Sequence, residues 1–514
     1  MDANTIISRF DRSKADRDLF EPMFDDAIRL TMPGRKRFGY TNPGNAADDI
    51  FDETGANAVS EFVSRMQAGI APPFSQFLKL EASSLVEKGD RDAVNRDLEE
   101  IAEFAFEEIW ASNFAQESAE SLYDLSISTG MLLVEDHGQT LMNRAIPITE
   151  FHIERGPNDL VGGVFRCAKR KAGHIPTLYP RAAQKLEDSQ KTKADIEKEA
   201  DKELEVIEYT FRDWSNRVEE TYRHLVVVKD HREVIVDETL TGAGSNPFIT
   251  FRWSTAAGEA WGRGPVLNAL AAIRTTNLMV ELVLENAAMS IVGMYQTDND
   301  GVVNADNINL LPGTIMTKEI GTKGLEQIAG NTGNFNMQDV VLGDQRLNIK
   351  RALFNDMLAD PNKTPATAYE VSERMADLAY RTSSSFSRVF YEFLVPYMQR
   401  TLYILEKRGD IQMPVHKGRA IKYRATSPLA MAQHGREMQA LAQDFQLRTM
   451  MHGPMVAAAS YDMETLHPWL QKRTGVDERL YKPVKDIVKT MEGLAQMTQQ
   501  AQAEQNAPTE PVVK

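Results

Sequence analysis

The sequence specifies a mixed α+β chain built of several regions, and three observations carry that reading. Its 514 residues exceed the roughly 100–200 of one domain. Helical periodicity fills the stretch up to about Thr129, and runs rich in β-branched and aromatic residues follow from Met131 to Trp253. Long helical patterns then return from Pro265 onward. With 42% hydrophobic and 26% charged residues, the chain can bury a core and is neither collagenous nor globally disordered.

Taken in order, residues 4–31 carry Phe20, Phe24, Ile28 and Met32 at four-residue intervals with charges between them, a helix that Pro33-Gly34 stops. Arg35 to Asn45 reads as loop. A helix is expected from about Thr54 to Ala71, ended by Pro72-Pro73. The acidic group before it, Asp48, Asp49, Asp52 and Glu53, fits a helix N-terminus better than a cation site. Phe77 to Leu80 reads as a short strand. Two helices are expected between Arg91 and Thr129, burying a face of Leu98, Ile101, Phe104, Ile109 and Trp110. Strands are expected at Met131 to Glu135, Gly163 to Lys169, Val206 to Arg212, Val218 to Val228, Glu233 to Glu238 and Phe248 to Trp253. The charged run Lys185 to Glu205 has helical spacing and reads as a solvated surface helix.

Gly262 and Gly264 lead into Pro265, a favoured first residue of a helix. A helix of about 25 residues, about 38 Å long, should follow. It is apolar around most of its circumference near Leu278 to Leu284, so it requires cover on nearly every side. Short strands and turns are expected over Ile291 to Asn336, rich in glycine. A second helix, Met337 to Leu358, carries Val341, Leu347, Ala352 and Phe354. Asp360-Pro361-Asn362-Lys363-Thr364-Pro365 breaks the pattern. Thr367 and Glu370 have capping-box spacing, and a helical pattern runs on to Arg408, kinked at Pro396 and ended by Gly409. Ile421 to Ala425 reads as a strand. Helices rich in Met, Gln and Ala follow, and from about Gln496 the chain has almost nothing to bury.

Composition and motifs exclude more than they assign. The net charge of -16 argues against a protein that grips DNA phosphates over a large surface, yet it suits a wall that DNA slides past. The single cysteine, Cys167, rules out an intrachain disulfide and reads as a strand or core residue. No signal peptide opens the chain, and Glu281, Glu285 and Asn286 interrupt the longest apolar stretch, so synthesis and folding in cytosol are expected. There is no Gly-Lys-Ser/Thr phosphate loop, no His-Glu-x-x-His pair, no zinc-spaced Cys/His cluster and no Gly-x-Ser-x-Gly elbow. Gly242, Gly244, Gly262 and Gly264 read as turn glycines, because Pro247 and Pro265 spoil a dinucleotide fingerprint. No catalytic residue, cofactor or metal is expected, and the chain reads as a non-enzyme.

Six ordered blocks over about residues 15–430 resemble the portal, or head-to-tail connecting, proteins of short-tailed bacteriophages. They are Phe20 to Leu30 with Pro33; Asp52, Thr54, Gly55 and Ala58 with Gly69, Pro72, Pro73, Phe77 and Leu80; Ser112-Asn113-Phe114 with Asp124-Leu125 and Thr129-Gly130; Ile146-Pro147 with Phe165-Arg166; Pro247, Phe251-Arg252-Trp253, Gly258-Glu259 and Trp261 to Pro265; and Ala368 to Met375, in which Glu370-Val371-Ser372-Glu373-Arg374-Met375 is the most recognisable string. The chain departs from the family at Phe77, where Trp is frequent, and at Thr129-Gly130, where Gly-Thr is commoner.

The resemblance implies an α+β portal subunit that assembles into a twelve-fold ring. Residues 1–264 would be the wing, 265–290 the first stem helix, 291–336 the clip and 337–358 the second stem helix. Residues 359–366 would be the tunnel loop, 367–428 a long kinked helix returning to the wing, 429–495 a helical crown and 496–514 a flexible tail. Asp360, Asn362, Lys363 and Thr364 would then line the channel constriction, with Lys350 and Arg351 as basic channel residues. Implied partners are further copies of the chain, the terminase large subunit, a tail adaptor, the major capsid and scaffolding proteins, and double-stranded DNA in transit without sequence specificity. No membrane is implied. The implied location is the head-tail junction of the virion, after assembly in the host cytoplasm. The competing readings are another ring-forming virion protein, such as a tail tube, and a packaging enzyme.

Overall fold

Pro22 makes the first departure from the expected elements. A computed structural model describes residues 1–39, 50–83, 86–87, 90–216, 219–292, 294–296, 326–328, 335–355, 377–414 and 421–474. In it the N-terminal helical pattern divides into α1 (Ala3–Asp18) and α2 (Glu21–Thr31). Pro22 has no amide hydrogen and sits in the first turn of α2, so the chain restarts there instead of running through. Two units form. One comprises Met1–Gln67, Glu107–Asp360 and Ser387–Gln412, the other Ala68–Phe106, Pro361–Phe386 and Met413–Lys514.

Helix α3 (Thr54–Ile70), strand β1 (Leu78–Ala82) and helices α4 (Arg91–Ala111) and α5 (Phe114–Ile127) fall within a few residues of the expected positions. One part of the expected α4 face is corrected: Phe104 is exposed, and Ala105 and Phe106 are buried in its place. In the second unit β1 pairs antiparallel with β12 (Ile421–Ala425), from Leu78↔Ala425 to Ala82↔Ile421. Three helices follow in that unit, α13 (Pro428–His452), α14 (Pro454–Ala459) and α15 (Met463–Thr474), with α13 contacting the other two.

The first unit holds two antiparallel sheets. One has three strands in the order β3-β2-β9: β2 (Thr129–Asp136), β3 (Leu141–Ala145) and β9 (Phe248–Arg252). The other runs β4-β5-β6-β7-β8, with β4 (Phe151–Arg155), β5 (Val161–Lys171), β6 (Glu203–Arg212), β7 (Thr221–Val228) and β8 (Glu233–Thr241). β3 and β4 were not anticipated from the sequence, and the other six strands were. The charged run splits into α7 (Ala183–Asp188) and α8 (Gln190–Lys198), after the one-turn α6 (Ile175–Leu178), and its last residues enter β6. It is not one solvated helix, since Leu186 and Thr192 are buried.

The five-stranded sheet is covered on both faces, so its central strands are apolar on both sides. Ile207, Tyr209, Leu225 and Val227 face Ile6 and Phe10 of α1. Their alternates Leu204, Val206, Val226 and Val228 face Ile175, Ala182 and Leu186. Cys167 is a half-buried strand residue whose thiol donates to Glu205 Oε1 at 3.1 Å, and burial raises its pKa.

The Phe251-Arg252-Trp253 and Trp261 to Pro265 blocks occupy the junction of the smaller sheet. A Cβ on Gly264 would overlap the carbonyl oxygen of Ser126, and one on Gly262 that of Ser128. These glycines admit close backbone contact: Gly264 N donates to Ile127 O at 2.8 Å, and Gly262 O accepts from Ser128 Oγ at 2.7 Å. Arg252, only 2% exposed, donates through Nε (3.1 Å) and Nη2 (2.7 Å) to the Glu392 carboxylate and through Nη1 to Asp159 O (3.2 Å) and Ala260 O (3.1 Å). Glu392 lies in a π-helical turn, Phe390–Leu394, between α11 (Ser383–Val389) and α12 (Val395–Arg408). Pro396 has no hydrogen for the Glu392 carbonyl, and the widened turn accommodates that loss where a kink was expected. Gly409, at φ 87°, ends α12, with Asp410 N donating to Leu405 O.

Removing Glu392 strands the buried charge of Arg252, so Glu392→Ala should cost about 3–5 kcal/mol in urea unfolding, and Arg252→Ala, which leaves Glu392 partly exposed and paired with Arg388, should cost less. Arg263→Ala, which breaks a more exposed pair with Glu259, should cost under about 1 kcal/mol. Comparable losses for all three would refute the central role of the buried pair. A second expectation concerns acid. Burial, helped by Arg17, Lys14 and Lys229, pushes the pKa of His152 from 6.5 down to about 3. The unfolded chain therefore takes up a proton below pH 6.5 that the folded chain refuses, and stability falls by up to about 1.4 kcal/mol per pH unit. Asp124 acts oppositely: burial pushes it up to about 6, against Arg35 at 2.9 Å, so folding binds a proton between its ordinary range and about pH 6. Comparing His152→Phe with the parent isolates the histidine, and the variant's advantage should grow as pH falls from 6.5. An advantage independent of pH would contradict this.

Candidate functional site

Two helices of the first unit, α9 (Pro265–Val292, 28 residues) and α10 (Phe335–Ala352, 18 residues), pack on each other, and α9 also contacts α2 and α5. Pro265 opens α9 as the sequence implies. Val266, Ala269, Leu270, Ile273 and Thr276 form a buried stripe at helical spacing. Beyond Thr276 the environment changes while the composition does not: Leu278 and Leu282 are each 54% exposed and Leu284 52%. Val341 and Leu347 of α10 are each 39% exposed, while Leu342, Ile349 and Leu353 are buried. By length and composition alone, Pro265–Ala287 would also qualify to cross a membrane, although Glu281 and Glu285 interrupt its apolar run. Its first half is already part of the core of the first unit.

The pair is fastened at its base. Asn277 Oδ1 accepts from the amides of Phe51 (2.8 Å) and Asp52 (3.1 Å), and Arg274 pairs with Asp26. Asp52 joins both helices to α3: Oδ1 accepts from Thr54 N at 2.9 Å, and Oδ2 accepts from Arg346 Nε (2.9 Å) and Nη2 (2.6 Å) of α10. Burial works against its charge, but the bonds from Thr54 and Arg346 prevail and hold its pKa below the ordinary carboxylate range. The expected capping role of the acidic group thus falls to Asp52; Asp48 and Asp49 lie outside the described residues.

Helix α10 ends six residues before the expected Leu358. Phe354 takes the left-handed conformation, φ 60°, Asn355 N donates to Lys350 O at 2.7 Å, and Phe354 N donates to Arg351 O at 3.1 Å. This is the helix-ending turn that glycine ordinarily makes. Here a phenylalanine is held in it by ring contacts with Trp253 (5.8 Å) and Phe62 (6.5 Å), by Arg65 donating to Phe354 O (2.9 Å) and by buried Asn355 donating to Ala58 O (2.6 Å).

Of the residues singled out from the sequence, Lys350 and Arg351 are exposed in the last turn of α10, where cations suit the helix dipole. Among the described residues neither forms an ion pair. Asp360, Asn362, Lys363 and Thr364 lie outside the described residues. Between α9 and α10 the described chain is one antiparallel pair, β10 (Met294–Gln296) with β11 (Glu326–Ile328); the rest of the expected clip lies outside. No group of three or more His, Cys, Asp or Glu among the described residues is placed to hold a metal. Sequence reasoning missed the Asp52–Arg346 and Arg252–Glu392 pairs. Arg252 stood in a recognisable block, but nothing local marks Glu392 or Arg346 as a partner.

The described residues thus place a long apolar helix pair on a mixed α/β body. The sequence matches the model of one family, bacteriophage head to tail connecting protein, over residues 3–481, and the chain belongs to that family. It is thus a connector of the virion's head-tail junction. Among solved structures it is similar to a chain of the virion of a native gene transfer agent particle, at 12% identity and a TM-score of 0.36, covering 85% of this chain and 95% of that one. It is also similar to a chain of the neck of the native particle computed with C12 symmetry, at 11% identity and a TM-score of 0.30, covering 84% and 99%. A comparison with curated proteins gives no match.

Asp52→Ala removes a helix cap and the anchor of Arg346 together. It should cost about 1–3 kcal/mol and raise amide exchange in α10 more than in α12. Uniform acceleration in both helices would contradict a local anchor.

Proposed function

We propose that the chain is the portal subunit whose copies close into a ring around the DNA channel, with α9 and α10 as the stem. The observation that supports this is an exposed apolar band on α9, Leu278 and Leu282 one turn apart, together with exposed Leu284 on another face and exposed Val341 and Leu347 on α10. Covering the exposed half of each leucine contributes on the order of 1 kcal/mol, a gain repeated at every subunit contact. The family likeness implies twelve copies. Their summed charge, at -16 per chain, favours a passage that DNA traverses without adhering. On this reading the ring conducts DNA into the head during packaging and out at ejection. The β10–β11 end of the stem docks the packaging motor and later a tail adaptor, and residues 1–264 contact capsid and scaffold. Asp360, Asn362, Lys363 and Thr364 form the constriction, and Lys350 and Arg351 stand near it as basic rings.

The test is a carboxylate placed in the band. Leu278→Asp/Leu282→Asp should keep its circular dichroism spectrum yet sediment as a monomer, because burying two unpaired charges at each contact costs several kcal/mol. The parent protein should give annular particles by electron microscopy. Rings formed by the double variant would reject the band as the assembly surface, and a parent that stays monomeric under assembly conditions would reject the portal reading.

A further inference from the structure

A basic cleft in the first unit, unrelated to the stem, stands out against the acidic chain. It lies on the face of the five-stranded sheet that carries α1 and has a volume of about 410 Å³. Its cations come from four separate places: Lys14 and Arg17 of α1, Lys36 after α2, Lys169 and Arg170 of β5, and Lys229 after β7. Phe10 and His152 contribute its apolar and aromatic lining, their rings edge-to-face at 4.9 Å.

Two carboxylates, Glu150 and Glu205, also line the cleft, and each is engaged. Glu205 pairs with Lys229 at 2.7 Å and Glu150 with Lys36 at 3.3 Å. Arg17 is held by Glu21 at 3.3 Å and donates to Thr149 O at 3.2 Å. Among the described residues, Lys14 and Lys169 have no ion pair. His152 is 3% exposed, and neither ring nitrogen has a hydrogen-bond partner. This buried, neutral imidazole leaves a ring N–H without an acceptor beside the cations of the cleft.

We propose that this cleft binds a phosphate-type oxyanion, with Lys14 and Lys169 as its principal ligands. The form of the cationic wall favours phosphate over a lone carboxylate. Lysine ammoniums are point charges, and here they line one cleft from a helix, a strand and two connections. A phosphate carries about -1.5 to -2 charge with three acceptor oxygens, enough to engage two unpaired lysines at once. The cleft falls within the volume range of small-ligand sites, about 300–1,000 Å³. This inference does not depend on the ring reading.

Isothermal titration of the full-length protein with inorganic phosphate, at about 50 mM chloride and matched ionic strength, tests it. The expected result is saturable binding of one phosphate per chain. Lys14→Ala/Lys169→Ala should weaken it by about tenfold or more, because each removed ammonium forfeits a charge-assisted hydrogen bond. Lys14→Arg/Lys169→Arg should keep most of it, and Lys407→Ala should change nothing. Absence of saturable binding by the parent, or equal binding by the double alanine variant, overturns the proposal. A short DNA duplex that displaces phosphate from the parent would overturn the small-oxyanion assignment in favour of a DNA-backbone contact.

Discussion

Helix α9 carries more apolar surface than the rest of the described chain covers, and the proposed assembly rests on that constraint. Up to Thr276 the helix behaves as a core element, with a stripe buried against the body of the first unit. From Leu278 the same kind of sequence meets solvent. Covering those side chains is the gain on which the proposed ring rests, and membership of the connecting-protein family is its context.

An exposed helix pair needs a firm base, and in the first unit specific polar contacts provide one. Asp52 binds α3 and α10 through its two oxygens, and Asn277 holds the chain entering α3. At the far end of α10, Phe354 sits in a conformation that costs a non-glycine residue about 1 kcal/mol or more. Two aromatic contacts and two side-chain hydrogen bonds over-determine it. The direction in which the chain leaves α10 is therefore set by packing in the body. The Arg252–Glu392 pair does similar work between the small sheet and the π-helical turn, with three of its five hydrogen bonds made to one carboxylate.

The larger sheet plays another part. With both faces covered, it is a rigid support whose strands place charged side chains at fixed positions around α1. Most of those charges are paired. The basic cleft beside His152 is an exception within a strongly acidic chain, and such exceptions are where ligand chemistry concentrates.

The sequence by itself determined the local grammar. Pro265 after Gly262 and Gly264, the strands Val206 to Arg212 and Ile421 to Ala425, and the stop at Gly409 all follow from backbone preferences and periodicity acting within a few residues. The ordered motif blocks were legible in the same way, and with them the family. Where the local signal was weak or read too coarsely, as at Pro22, at the short strands β3 and β4, and at the end of α10, the boundaries differed. Only the tertiary structure decided which carboxylate meets which cation, since Asp52 and Arg346 are 294 residues apart and Arg252 and Glu392 are 140 apart. It also decided which half of α9 is covered. Burial and ion pairing depend on where the folded chain brings distant segments, and side-chain identity along the sequence carries no record of that distance.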